Sequence, residues 1–135
     1  MMTFQLAPAF VATSHAVAEL PLCHVRLQDD ARFPWLVLIP RVAGARELED
    51  LSADDRTRLL DEILLAGRAV RAVGRIEKLN VGQLGNVTPQ LHVHVVGRRE
   101  DDAAWPGPVW GFAAAQPYEP GALRAALAAA RQALG

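Results

Sequence analysis

The stretch Gln90-Leu91-His92-Val93-His94-Val95-Val96 decides how this chain is interpreted. Polar and apolar residues alternate from its first position, which is typical of a β-strand because successive side chains point to opposite faces. Gln90, His92 and His94 are therefore predicted to share one face, and the leucine and valines between them the other. The apolar face can enter a core while the two imidazoles line a surface or cleft. This strand is the first candidate for a reaction site.

Composition limits the classes of function. The chain has 135 residues, of which 51% are hydrophobic, and this predicts a single domain over residues 1–135 with a core that needs no disulfide. The formal net charge of −1 gives no overall attraction to nucleic acid or to an anionic membrane. Cys23 is the single cysteine, which is typical of a reducing cytoplasm. No run approaches the ~20 apolar residues of a membrane span. We therefore expect a cytoplasmic protein that binds neither nucleic acid nor membranes.

The remaining periodicity predicts an α+β domain with a mostly antiparallel sheet of about five strands. Apolar residues recur at helical spacing over residues 53–73, with Ser52 as the N-cap, so one long helix is expected there. Pro120 opens a C-terminal helix that runs to Leu134. The Pro- and Gly-rich residues 105–111 exclude a regular element. The predicted strands cover residues 15–20, 22–28, 35–39, 76–81 and 91–96.

The two histidines have more than one possible use. Unperturbed imidazole titrates near neutrality, so His92 and His94 could each serve as nucleophile, base, acid or metal ligand. A nucleophilic imidazole needs one unprotonated ring nitrogen and an acceptor that holds the other, which a backbone carbonyl can supply. The preceding turn, residues 85–89, is rich in Gly, Asn and Thr and could present N–H groups to an anion. Phosphate or acyl chemistry is one interpretation of this pair, and a merely structural pair of histidines is the other.

Three stretches together resemble a known family. Residues 80–97, the Trp-Pro-x-Pro-x-Trp segment at 105–110 and residues 33–41 are similar to the histidine-triad (HIT) superfamily of nucleotide hydrolases and transferases. The specific likeness is to bacterial members that resemble diadenosine tetraphosphate hydrolase. The resemblance implies a HIT-like fold, a nucleotide substrate, catalysis without a metal or other cofactor, and a homodimer. Residues 105–110 are then a candidate interface or a cap over the leaving-group side.

The resemblance also implies roles for individual residues. His92 would attack the α-phosphorus of a nucleotide to form a nucleotidyl-histidine, which water would release as a nucleoside monophosphate. His94 would contact phosphate oxygens near the scissile bond, and the backbone carbonyl of Gln90 would orient His92. The expected substrate-binding residues are Asn86, Asn80, Thr88, Asp29 and Trp35, with Asp29 and Asp30 near the ribose.

Two residues depart from the family pattern and keep alternatives open. Gln90 replaces the first histidine of the triad, so its side chain cannot titrate, and Trp35 stands near a position where many relatives have another histidine. A non-catalytic nucleotide-binding or scaffold protein is therefore one alternative. A metal site that joins the two histidines of the strand to His15 or His24 is another, although zinc prefers three or four ligands with outer support. We expect an enzyme that cleaves a nucleoside phosphoanhydride or phosphoramidate through His92.

Overall fold

The computed structural model describes residues 3–135 and contains one antiparallel sheet with the strand order β1-β2-β3-β5-β4. The predicted α+β class, the antiparallel sheet of five strands, the long helix and the C-terminal helix are all confirmed. The strands are Ser14–Glu19 (β1), Cys23–Gln28 (β2), Trp35–Pro40 (β3), Lys78–Gly82 (β4) and Val93–Arg98 (β5). The helices are Pro8–Thr13 (α1), Ala53–Val73 (α2) and Pro120–Leu134 (α3). No helix within residues 3–135 is long and apolar enough to cross a membrane.

The sheet has a different partner on each face. On one face, α2 and α3 cover alternate residues of the central strands, which form the larger core. On the other face lies a smaller, partly aromatic cluster: Phe10, Phe33, Trp35, Val37, Ile39, Val96 and Val109. Strand β3 is buried along its whole length, as its continuous apolar run indicates. The two histidines lie on the second face, beside the aromatic cluster.

The start of β5 differs from the sequence prediction. The alternation begins at Gln90, but the strand begins at Val93, which pairs with Leu38 of β3. The N–H of Leu91 donates instead to the carbonyl of Ala45, 3.0 Å away, in a loop outside the sheet. Of the three polar residues predicted to share a strand face, only His94 therefore lies on the strand.

Helix α2 is fixed to the sheet by a buried carboxylate. The helix begins after Ser52, whose hydroxyl accepts the N–H of Asp55 at 3.1 Å, as the N-cap pattern predicts. Ten residues along, Glu62 is 5% exposed and accepts the N–H groups of Leu22 and Cys23, each at 2.8 Å. Those two N–H groups lie where β1 turns into β2. The carboxylate thus satisfies buried backbone donors that would otherwise be unpaired.

Candidate active site

A cavity of about 640 Å³ opens on the second face of the sheet, next to β5. Its size is in the range of small-molecule binding sites. The described residues that line it come from the ends of β2 and β3, the β4–β5 loop, both histidines and the segment after residue 108. They are Gln28, Asp30, Trp35, Leu84, Gly85, Asn86, Val87, Thr88, His92, His94, Val109, Trp110, Gly111, Phe112, Ala113 and Ala115.

His92 has its ring held in one orientation and one tautomer. Its Nδ1 lies 2.7 Å from the carbonyl oxygen of Gln90. Because a carbonyl can only accept, Nδ1 carries the hydrogen and donates it, and in the neutral ring Nε2 keeps its lone pair. The residue is 6% exposed, and the ring of Phe10 contacts it edge-on with centroids 4.8 Å apart. In its neutral form His92 therefore presents the lone pair at Nε2 that a nucleophile needs.

His94 has the opposite tautomer. The indole Nε1–H of Trp35 donates to its Nδ1 at 3.0 Å. An indole nitrogen can only donate, so Nδ1 of His94 must be unprotonated and Nε2 carries the hydrogen. Burial, and then the neighbouring His92, lower the pKa of His94 from 6.5 to about 4. His94 is thus an uncharged N–H donor at neutral pH, with its ring centroid 4.9 Å from that of His92.

The lowered pKa of His94 predicts a loss of stability in acid. The unfolded chain gains a proton at this histidine near pH 6.5, whereas the folded protein gains it near pH 4. The free energy of unfolding should therefore be intact above pH 6.5 and fall as the pH drops to 4, by up to about 3 kcal/mol. Urea unfolding of the wild type and of His94→Asn, which retains an acceptor for Trp35, measures this. The stability difference between the two proteins should change over this window, and parallel curves would contradict the prediction.

An aromatic wall continues from Trp35. The Trp110 ring lies edge-on to Trp35 and to His94, with centroids 6.5 and 5.5 Å apart. Gly82 of β4 leaves room for it, because a Cβ there would lie 2.9 Å from the Trp110 ring. The sequence placed Trp35 among the substrate-binding residues, and it does line the cavity. Trp110 was missed as a site residue, although the Trp-Pro-x-Pro-x-Trp segment marked it.

The other predicted site residues divide into two groups. Asn86 and Thr88 line the cavity from the β4–β5 loop. Asn80 does not, because its Oδ1 accepts from Arg98 Nη1 at 2.8 Å. Asp29 also lies outside the described lining. Its carboxylate accepts the N–H of Tyr118 at 3.0 Å and lies 3.3 Å from the Nε2 of His15.

Asp30 and Gln90 contribute in ways that the sequence did not specify. The cavity wall includes Asp30 rather than Asp29, and the Asp30 carboxylate is paired with Arg32, with Oδ2 and Nη2 2.8 Å apart. Burial would raise the pKa of Asp30, but hydrogen bonds from Arg32 outweigh it and lower the pKa. The Gln90 carbonyl holds His92, whereas its side chain is outside the described lining and binds residues of the N-terminal segment.

Arg98 organises the loop that leads into the cavity wall. Its side chain is buried and donates to Asp102 from Nε at 2.8 Å and from Nη2 at 3.1 Å, and to the Gly107 carbonyl at 2.8 Å. Burial would raise the pKa of Asp102, but hydrogen bonds from Arg98 and from backbone N–H groups lower it to about 2. This ion pair fixes residues 99–107, after which the chain forms the wall at residues 109–115.

The other two histidines lie apart from the cavity. His15 lies beside Asp29, and His24 donates from Nδ1 to Glu19 while its Nε2 is 3.2 Å from Arg26. Among residues 3–135, no three His, Cys, Asp or Glu side chains are grouped so as to hold a metal ion. The alternative of a metal site on His92 and His94 therefore lacks its third ligand in the described part of the chain.

Comparisons with known proteins assign the family. The HIT domain profile matches residues 9–101, which include His92, His94 and strand β3. The chain belongs to the HIT domain family. A histidine triad protein from Sinorhizobium meliloti is 39% identical with a TM-score of 0.93 and 98% of each chain covered. One from Bradyrhizobium japonicum is 35% identical with a TM-score of 0.95, covering 99% of this chain and 100% of its own. No curated protein matches the sequence.

Family membership confirms the coarse part of the sequence prediction. HIT domain proteins are a family of nucleotide hydrolases and transferases, which is consistent with a nucleotide partner. A histidine triad protein from Marinobacter aquaeolei, 38% identical with a TM-score of 0.94, covers 98% of this chain and 97% of its own. The likeness to diadenosine tetraphosphate hydrolase remains a prediction.

Proposed function

We propose that this HIT protein hydrolyses a nucleoside phosphoanhydride or phosphoramidate through a covalent nucleotidyl-histidine on His92. The observation that carries the proposal is the pair of opposite tautomers on neighbouring rings. His92 offers a lone pair at Nε2 and His94 offers an N–H at Nε2, both beside the same cavity. An attacking atom and a hydrogen-bond donor within reach of one small group are what nucleophilic substitution at phosphorus requires.

The first step transfers the nucleotidyl group to the protein. The lone pair on His92 Nε2 forms a bond to the α-phosphorus, while the bond from phosphorus to the leaving oxygen or nitrogen breaks and its electron pair departs with that atom. A leaving nitrogen takes up a proton from solvent and departs as an amine. His94 Nε2–H donates to a phosphate oxygen, and polar groups of the turn that contains Asn86 and Thr88 contact the same phosphate. In the second step a water oxygen attacks phosphorus and releases a proton to solvent, the phosphorus–nitrogen bond breaks, and its electron pair returns to His92 Nε2.

The charges around the cavity support a mechanism that relies on N–H donors. None of its described lining residues is a lysine or arginine, His94 is neutral at pH 7, and the one lining carboxylate is paired with Arg32. Preorganised dipoles in a partly enclosed site stabilise developing charge effectively. We therefore propose that the steps need no metal or other cofactor.

The buried, free thiol of Cys23 is consistent with the cytoplasmic location that we also propose.

A panel of dinucleoside polyphosphates and nucleoside phosphoramidates tests the function. We expect release of a nucleoside monophosphate from at least one of them. Rapid quenching in alkaline denaturant, in which the phosphorus–nitrogen bond survives, followed by peptide mass spectrometry should show one added nucleoside monophosphate on His92. Diadenosine tetraphosphate in the panel tests the finer likeness to its hydrolases. Saturable nucleotide binding without product from any member would contradict the proposal and favour the non-catalytic binder.

We also propose that the protein is a homodimer. Leu60 and Leu64, one turn apart on α2, are 58% and 57% exposed, and Val81 on the edge strand β4 is 51% exposed. Leu60 and Leu64 are neighbours on the helix surface, and an exposed apolar patch is a candidate interaction surface. Sedimentation equilibrium is expected to give a dimer for the wild type and a monomer for Leu64→Glu, with Leu48→Glu as an exposed-leucine control. A monomeric wild type at micromolar concentration would contradict the proposal.

A further inference from the structure

The Gln90 side chain binds the backbone of the N-terminal segment at two points. The Ala7 N–H donates to Gln90 Oε1 at 2.9 Å, and Gln90 Nε2 donates to the Gln5 carbonyl at 2.8 Å. A primary amide carries its donor and acceptor side by side, so it can pair with a C=O and an N–H that lie two residues apart. A histidine could not do this from the same position, because its two nitrogens are on different edges of the ring.

The segment that Gln90 binds leads directly to the face of His92. Ala7 is the N-cap of α1, and Phe10 of that helix is 6% exposed, with its ring 4.8 Å from the His92 ring. The far end of α1 is bound separately. The Ser14 hydroxyl donates to the Phe10 carbonyl and accepts from Arg26 Nε, which is 2.7 Å away. Helix α1 is therefore held at both ends, and Gln90 provides the attachment at its start.

We propose that Gln90 is a positioning residue that fixes His92 from two directions. Its carbonyl accepts from Nδ1 and sets the rotation of the ring, while its amide anchors the segment that presses Phe10 against that ring. At the first triad position this chain therefore has a side chain that does not titrate but that anchors the N-terminal segment. The inference rests on the proposed function only in treating His92 as the reactive group, since the hydrogen bonds to the N-terminal segment do not depend on any substrate.

Releasing the N-terminal segment from Gln90 should make the His92 ring more mobile and admit water beside it. Six-residue α1 is too short to persist without tertiary contacts, so losing its first attachment should increase its opening. The imidazole would then keep its carbonyl partner but lose the edge contact with Phe10. We expect a lower rate of reaction at His92, with KM much less affected, because the residues that would contact the phosphate, Asn86 and Thr88, belong to another loop.

Two measurements that need no substrate separate this inference from the proposed function. Amide hydrogen exchange reports on the Ala7 N–H, and peptide mass spectrometry after limited diethylpyrocarbonate treatment reports on the accessibility of His92. In Gln90→Ala we expect each to rise about tenfold, since two hydrogen bonds are lost. Gln90→Glu is closer in shape and retains the acceptor for Ala7 but not the donor for Gln5. It breaks one of the two hydrogen bonds, so both values should rise less than in Gln90→Ala. Gln132→Ala, on the exposed side of α3, is the matched control and should leave both values unchanged.

Phe10→Leu tests whether the contact of the Phe10 ring protects His92. It leaves the bonds of Gln90 in place, so Ala7 should stay protected while His92 modification rises. If a substrate is found, kcat should fall about tenfold in Gln90→Ala and by less in Gln90→Glu, with KM little changed. Unchanged protection of Ala7 in both Gln90 variants would overturn the anchoring. Lost protection with unchanged His92 modification would overturn the positioning. A failed substrate panel with the expected exchange and modification would overturn the proposed function alone.

Discussion

His92→Ala is expected to reduce kcat on any substrate of this protein by about 10⁴-fold or more. In the proposed mechanism Nε2 of His92 forms the bond to phosphorus, and alanine has no atom that can replace it. The cavity and His94 would remain, so nucleotide binding should persist. Steady-state kinetics with the best substrate of the panel measures the loss. Mass spectrometry of the quenched variant should show no added nucleoside monophosphate.

Two other histidine variants make that result interpretable. His15→Ala removes an imidazole that lies beside Asp29 and outside the described cavity lining, so its turnover should equal that of the wild type. His94→Asn should lose about 10²-fold in kcat yet still form the adduct, because a single donor to a charged oxygen contributes roughly that much. Wild-type turnover in His92→Ala, or an adduct found on His94, would contradict the assignment of the nucleophile.

The sequence predicted most of the fold because its patterns are local. The helical spacing in α2, the cap at Ser52 and the continuous apolar run of β3 each depend on neighbouring residues. The start of β5 could not be predicted in this way. Alternation describes side chains, whereas the strand ends where the backbone changes partner, and Leu91 bonds to Ala45 in a distant loop. The same alternation that located His92 and His94 therefore started the predicted strand at Leu91, two residues before Val93.

Most of the cavity-lining residues that were predicted lie close together in the chain, but Trp35, which the family resemblance supplied, lies far from them. His92 and His94 are two residues apart, and Asn86 and Thr88 lie in the turn just before them. The tautomer of His94 was not predictable, because it is set by the indole N–H of Trp35, 59 positions earlier. A sequence does not show which polar group pairs with which.

Polar partners far apart in the chain account for the remaining errors. The family resemblance placed Asn80 among the substrate-binding residues, but its side-chain oxygen accepts from Arg98 on the adjacent strand β5. The helical pattern of α2 gives no reason to bury Glu62, because the residues that donate to its carboxylate are 39 and 40 positions away. The family resemblance describes Gln90 as the loss of a histidine, whereas its side chain binds the backbone of Ala7, 83 positions earlier. Each pairing becomes visible only when the sheet brings the elements together.

Arg98→Met is expected to lower the free energy of unfolding by about 3–5 kcal/mol, the cost of removing one partner of a buried ion pair. Methionine fills much of the space but leaves the Asp102 carboxylate, whose side chain is 2% exposed, without its guanidinium. It also leaves the Asn80 oxygen and the Gly107 carbonyl without their donor. Chemical denaturation at pH 7 measures the loss.

The neighbouring arginine provides the matched control. Arg99 pairs with Asp101 at 3.0 Å, but their side chains are 36% and 67% exposed, so Arg99→Met should cost roughly 0–1 kcal/mol. The pH dependence distinguishes the ion pair from simple packing. Because Asp102 has a pKa of about 2 when folded and 3.8 ordinarily, its contribution is present above pH 3.8 and is lost as the pH falls toward 2. The stability gap between the wild type and Arg98→Met should therefore narrow in acid. Equal losses in the two arginine variants, or a gap that is constant with pH, would show that packing rather than charge holds the loop beside the cavity.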